Sequence, residues 1–203
     1  KKVSELETLV DQYEDELGTY LVKLSRQNLS VHDSHTLSIV LHCIGDFERI
    51  SDHAINIMEA AQEMHNKKLT FSPKAEEELK VFCRAVQDIV EKAYAVFRDQ
   101  DEKLAQKVEP LEAVVDDLNQ EVKKRHIRRL RNGKCTIELG FILSDITTSL
   151  ERVADHCSNI AVCVTQVRDD TYDTHGYLNS VKNEDSEIFR GLVLEAEEKY
   201  LLP

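Results

Sequence analysis

The sequence predicts an all-α chain built as two tandem three-helix bundles related by a pseudo-twofold. Three observations carry this. Glycine and proline are scarce, six and three in 203 residues, so few turns are available. Apolar residues recur at alternating steps of three and four, and no period-two run competes with them. The succession of medium, long and medium helix occurs twice, which divides the chain into repeats 1–100 and 101–203.

The first helix spans Val3 to Leu24, with apolar residues at 3, 6, 10, 13, 17, 20, 21 and 24. The polar link RQNLSVHDS follows. A long second helix runs from Ser34 to His65, with Leu37, Val40, Ile44, Phe47, Ala54 and Ala61 on one line and Ile50, Ile57 and Met64 widening it. An apolar arc that broad fits a helix between two neighbours. NKKLTFSPK breaks the pattern, and Ser72 before Pro73 makes a good cap and first-turn pair for a third helix reaching Arg98. The short piece DEKLAQKV leads to a fourth helix from Pro110 to Arg131, which Asn132-Gly133 ends. A fifth helix covers Cys135 to Arg168. The link DDTYDTHGYLNSVKN precedes a last helix beginning near Glu184.

Composition excludes some functions. A formal net charge of -12 argues against nucleic acid as a partner, because phosphate binding needs a basic face. The run KKRHIRRLRNGK, Lys123 to Lys134, is read first as a solvated helix end complementing the dipole, and second as a patch for anionic lipid or an acidic partner. Five cysteines without CxxC pairing fit free thiols in a reducing compartment. No apolar run approaches the length of a membrane span, and no signal peptide pattern is present. The chain opens on Lys-Lys-Val directly into a helical pattern, which reads as a piece of a longer protein with a membrane portion elsewhere.

The repeat is clearest in DFERISDHAINI, Asp46 to Ile57, and SLERVADHCSNI, Ser149 to Ile160, which lie 103 residues apart. Leu6 to Asp11 (LETLVD) and Leu111 to Asp116 (LEAVVD) align at 105. Each half therefore holds two ExxxD pairs: Glu7/Asp11 and Glu48/Asp52, then Glu112/Asp116 and Glu151/Asp155. Residues four apart share a helix face. Like charges so placed cost a helix about 0.2–0.5 kcal/mol per pair, which calls for compensation. Arg49 and Arg152, one residue after each signature Glu, supply some; a cation shared between facing helices supplies more, since clustered oxygens suit hard or borderline metals. Any single pair in a chain with 38 acidic residues reads as a solvated face. Recurrence of Glu, Arg, Asp, His and Asn in register is the stronger evidence. Asn56 and Asn159 continue the series or bond between helices. His53 and His156 point about 100° from their neighbouring Asp, so they read as hydrogen-bonded face residues rather than ligands. No histidine has Glu or Asp three residues before it, and HExxH, GxSxG and phosphate-loop patterns are absent, so an oxidase or hydrolase is the weaker class.

FERISDHAINI and LERVADHCSNI resemble the repeated signature of PhoU proteins, which is approximately LERIGDHAxNI. Asp101 to Leu118 resembles the approach to that repeat. Ser51 and Ala154 depart from it where the family often has Gly, and Glu59 has only Val162 as counterpart. The resemblance implies two three-helix bundles and multinuclear metal clusters of iron, zinc or manganese. Their ligands would be Glu7, Asp11, Glu48, Asp52, Glu112, Asp116, Glu151 and Asp155, with Asn56, Asn159, Arg49 and Arg152 in support. It further implies a non-enzymatic regulator of phosphate transport. The truncated start is more similar to the C-terminal PhoU-like domain of a bacterial sodium/phosphate cotransporter, on the cytoplasmic side of the membrane. The expected partners are then the transporter portion of the same chain or a phosphate transport system, phosphate itself, and a second copy in a homo-oligomer. A free-standing PhoU-type regulator and a metal-free helical interaction module are the alternatives.

Overall fold

Three of the long helices start at a capping side chain, and the first helix and the one from Val108 start without one. In the computed structural model, which describes residues 1–166 and 187–203, the helices are α1 (Lys2–Leu24), α2 (Val31–Lys67), α3 (Pro73–Asp99), the single turn α4 (Glu102–Ala105), α5 (Val108–Arg131), α6 (Ile137–Gln166) and α7 (Glu187–Lys199). No strand occurs among the described residues. The link at 169–183, the end of the fifth helix past 166 and the start of the last helix near Glu184 fall outside them.

α2 begins three residues before the expected Ser34, inside the apparently polar link. Its cap is Ser30, whose Oγ accepts from the Asp33 amide at 3.1 Å, so VHDS is the first turn and not a linker. α6 begins two residues later than Cys135, because Thr136 Oγ1 accepts from Leu139 N at 3.2 Å and acts as the cap. α5 begins two residues before Pro110, which sits in the first turn, where a missing N–H costs nothing. Ser72 caps α3 as expected. Gly133, with φ +64, closes α5 as its amide bonds Leu130 O.

α6 is the central helix and packs against α2, α3 and α5. α1 lies on α2, and α7 lies on α5. The third helix of the first repeat, α3, crosses to the second and rests on α5 and α6. The densest core accordingly lies among α3, α5 and α6, where Phe82, Ile89, Val115, Val122, Ile160 and Val164 are wholly buried. α2 adds Ile39, Cys43 and Ala60, and α1 only Leu21. All five cysteines are free thiols, Cys43 and Cys157 among the most buried.

The basic run at the end of α5 is only partly a solvated face. Arg129 Nη1 donates to both carboxylate oxygens of the buried Glu78 on α3, at 2.8 and 3.0 Å. Arg125 Nη1 reaches Glu78 at 3.4 Å and the Pro203 carbonyl at 2.6 Å. Two arginines of the run thus tie α3, α5 and the chain's last residue together.

Candidate metal centre

Glu7 and Asp11 stand one turn apart on the side of α1 that faces α2. Asp52 on α2 comes up beside them, and one oxygen from each of the three carboxylates lies within 4.8 Å of the others. Glu112, Asp116 and Asp155 form the same arrangement between α5 and α6, within the same limit. Two oxygens bound to one ion at about 2.0–2.5 Å can be no farther apart than about 4–5 Å, so either trio can close on a single cation. The second lies deeper, with Glu112 7% exposed.

The donors fit a metal on a local observation as well. Asp11 Oδ1 is buried and has no hydrogen-bond partner. An acidic oxygen without solvent or donor is costly unless a cation serves it. The donor set is all oxygen, which suits hard or borderline ions.

The other predicted residues divide. Glu48 stands at the edge of the first trio: burial, then the adjoining Asp52 carboxylate, raises its carboxyl above the usual range, against Arg49. Arg49 Nε lies 3.5 Å from Glu48. Glu151 is one turn from Asp155 but outside the 4.8 Å grouping. Arg152 pairs instead with Asp155 at 3.2 Å, so the two supporting arginines serve different members of their pairs. Asn56 and Asn159, one turn on from Asp52 and Asp155, bond toward the histidines and Asp46. Asn56 lies 3.4 Å from His53 Nδ1, and Asn159 Nδ2 donates to Asp46 at 3.3 Å.

The histidines mark the symmetry. His53 and His156 are equivalent residues, and their rings stack with centroids 5.7 Å apart and planes 27° from parallel. Equivalent residues can touch only beside the axis that relates them, so the pseudo-twofold runs through this α2–α6 contact. Burial, then the facing His156, lowers the His53 imidazole below its usual value. Asp46 completes the cluster, with its Oδ1 2.9 Å from His156 Nδ1. Sequence reading missed Asp46 because its counterpart is Ser149, and a search by repetition passes over it.

Residues 1–61 and 79–164 match the PhoU domain family, a span that includes both trios and both signatures. The chain belongs to that family. Among curated PhoU relatives, the phosphate-specific transport system accessory protein PhoU homolog 1 of Thermotoga maritima is 26% identical over 161 residues, 79% of this chain and 68% of that one. A PhoU homolog of the same description from Synechocystis is 27% identical over 172 residues, covering 82% and 73%. The crystal structure of PhoU from Pseudomonas aeruginosa superposes with a TM-score of 0.77 over 84% of this chain and 81% of that one. At 24% identity that likeness speaks for the fold. No helix among the described residues is long and apolar enough to cross a membrane.

Proposed function

We propose that this PhoU-family chain is a non-enzymatic accessory regulator of phosphate transport whose two carboxylate trios bind metal ions, one in each repeat. The observation that carries the proposal is the pair of trios at matched places, each drawn from the first two long helices of its repeat and each within single-ion spacing. The named relatives are accessory proteins of a phosphate-specific transport system, and this supports a partner of that kind. It favours the separate PhoU-type regulator over the domain of a sodium/phosphate cotransporter, for which the relatives offer no support. The metal supplies positive charge at the seam. Glu7, Asp11 and Asp52 would hold one ion and Glu112, Asp116 and Asp155 the other, while Glu48 and Arg152 adjust the charge around them. Iron, manganese and zinc are the ions to test, and a seated cation gives phosphate a place to bind.

Titration calorimetry of the metal-free protein with manganese and zinc tests the sites. Binding that survives D52A/D155A unchanged removes the metal assignment. Deleting the gene and following phosphate uptake over a range of external phosphate tests the regulation separately. Unaltered uptake removes that reading whatever the metal result.

A further inference from the structure

α2 and α6 carry the two signatures and pack against each other. Three contacts fix their register as antiparallel. Lys67 Nζ lies 2.7 Å from Glu138 Oε1, the His53 and His156 rings stack at 5.7 Å, and Asn159 Nδ2 donates to Asp46 at 3.3 Å. One turn beyond the last of these, three residues back on α2 and four forward on α6, stand Cys43 and Cys163. The register alone sets the two thiols face to face, and they do meet, each as the other's hydrogen-bond partner. Cys43 is wholly buried, while Cys163 is partly exposed. The other three cysteines lie elsewhere. Cys135 precedes α6 at its opposite end, 3.5 Å from His126 Nδ1. Cys83 is on α3, and Cys157 is sealed in the core.

We propose that Cys43 and Cys163 are a site of reversible oxidation, converted by a small hydroperoxide into a disulfide that staples α2 to α6. The attack begins at Cys163, the thiol that the oxidant can reach. The hydrogen bond from Cys43 lowers the Cys163 thiol below its usual value, against burial and Asp46, and the same contact, then burial, raises Cys43. Cys163 is thereby favoured as thiolate, the reactive form. Burial raises Cys83 and pushes Cys157 up to about 12, which leaves both inert. The Cys163 thiolate attacks one peroxide oxygen. The S–O bond forms, the O–O bond breaks, and the departing hydroxide takes the proton Cys163 gave up and becomes water. The sulfenic acid so formed is then attacked by the adjoining Cys43 sulfur. The S–S bond forms, the S–O bond breaks, and the hydroxyl leaves with the Cys43 proton as a second water. Two electrons pass from the two sulfurs to the peroxide. A thiol reductant reverses the bridge by exchange, the behaviour of a disulfide suited to a reducing compartment. The bridge lies nine residues from Asp52 along α2 and eight from Asp155 along α6, and its closure requires no metal at either trio.

Stoichiometric hydrogen peroxide added to the reduced chain, followed by an alkylating quench, denaturation and mass spectrometry, tests this. Wild type should lose two hydrogen atoms in mass, and its titratable thiols should fall from five to three, since the bridge consumes two. Peptide mapping should place the link between residues 43 and 163, and dithiothreitol should restore all five thiols. C163S should form no bridge within the chain. C43A should stop at the sulfenic acid on Cys163, which dimedone labels. Positions 43 and 163 are 120 residues apart, so the oxidised form should melt at least about 5 °C above the reduced one. C163S alters a partly exposed side chain and keeps the test open even where C43A disturbs the core. Three results would overturn the proposal. One is a link mapped to any other pair of cysteines. Another is C163S losing two hydrogen atoms as wild type does, and the third is an oxidised form that melts no higher than the reduced one.

Discussion

Asp52 illustrates how one carboxylate carries opposite effects in two states. Without a cation it stands beside Glu7, Asp11 and Glu48, so its charge is repelled. With a cation it is a ligand. D52N should therefore raise Tm in chelator and shrink the metal-induced rise. For wild type at a hundred times Kd that rise is worth about 2.7 kcal/mol. A fall in Tm on D52N in chelator would show that the trio is not held under repulsion. Two of the helical glycines, Gly45 and Gly140, carry opposite expectations. A Cβ on Gly45 meets nothing within 4 Å, so G45A should stabilise by about 0.5–1 kcal/mol through helix propensity. A Cβ on Gly140 would lie 2.8 Å from Nε2 of the buried His126, and the resulting overpacking, about 1–3 kcal/mol, should cancel or exceed that gain in G140A. Urea denaturation of both variants measures the difference. The trio residues were legible because they repeat. Asp46, His126 and Glu78 were not, because their roles depend on partners 110, 14 and 51 residues away, which no local spacing displays.

Among the elements, α7 is the most lightly attached third helix. It buries no residue within its own span, and its anchor is Asp88 on α3, which accepts from Lys199 Nζ at 2.9 Å and from Tyr200 Oη at 2.7 Å and pairs with Lys92. Burial pushes the Asp88 carboxyl up, but those donors outweigh it and hold it at about 2, against an ordinary 3.8. A depressed carboxyl stabilises above its unfolded value, so this anchor is fully present above about pH 4 and is lost as pH falls toward 2. D88N should remove about 1–2 kcal/mol at neutral pH and free α7 to early proteolysis. Equal cleavage of wild type and variant would show that Asp88 does not hold the helix. Periodicity predicted every long helix, and the caps at Ser72 and Gly133 were visible in the chain. The start of α2 was not, because Val31-His-Asp-Ser lacks the apolar pattern and only the Ser30 hydroxyl shows that the turn is helical. The crossing of α3 to the second repeat is set by tertiary pairs such as Glu78 with Arg129, which an equal division of the chain at residue 100 does not register.

For the whole molecule, that buried pair fastens the repeats together. Glu78 is 2% exposed and faces two guanidinium groups. E78A would leave Arg129 half-buried and uncompensated, so it should cost about 3–5 kcal/mol of unfolding free energy in guanidinium titration. A cost below about 1 kcal/mol would place the pair with weak surface bridges. The repeats are otherwise unequal. One trio is built on α5, enclosed by α3, α6 and α7, and the other on α1, whose packing neighbour is α2.

That inequality sets an order of events in time. A helix held along one side opens more often than one held on three, so amide hydrogens of α1 should exchange with solvent well before those of α5. An ion between Glu7, Asp11 and Asp52 must first wait for α1 to close, and it then slows the reopening. Added metal should therefore fill the α5 trio at lower concentration. Only in the second stage should it slow deuterium uptake at residues 2–24. A single stage, with both helices protected in parallel, would mean that α1 is as firmly seated as its twin.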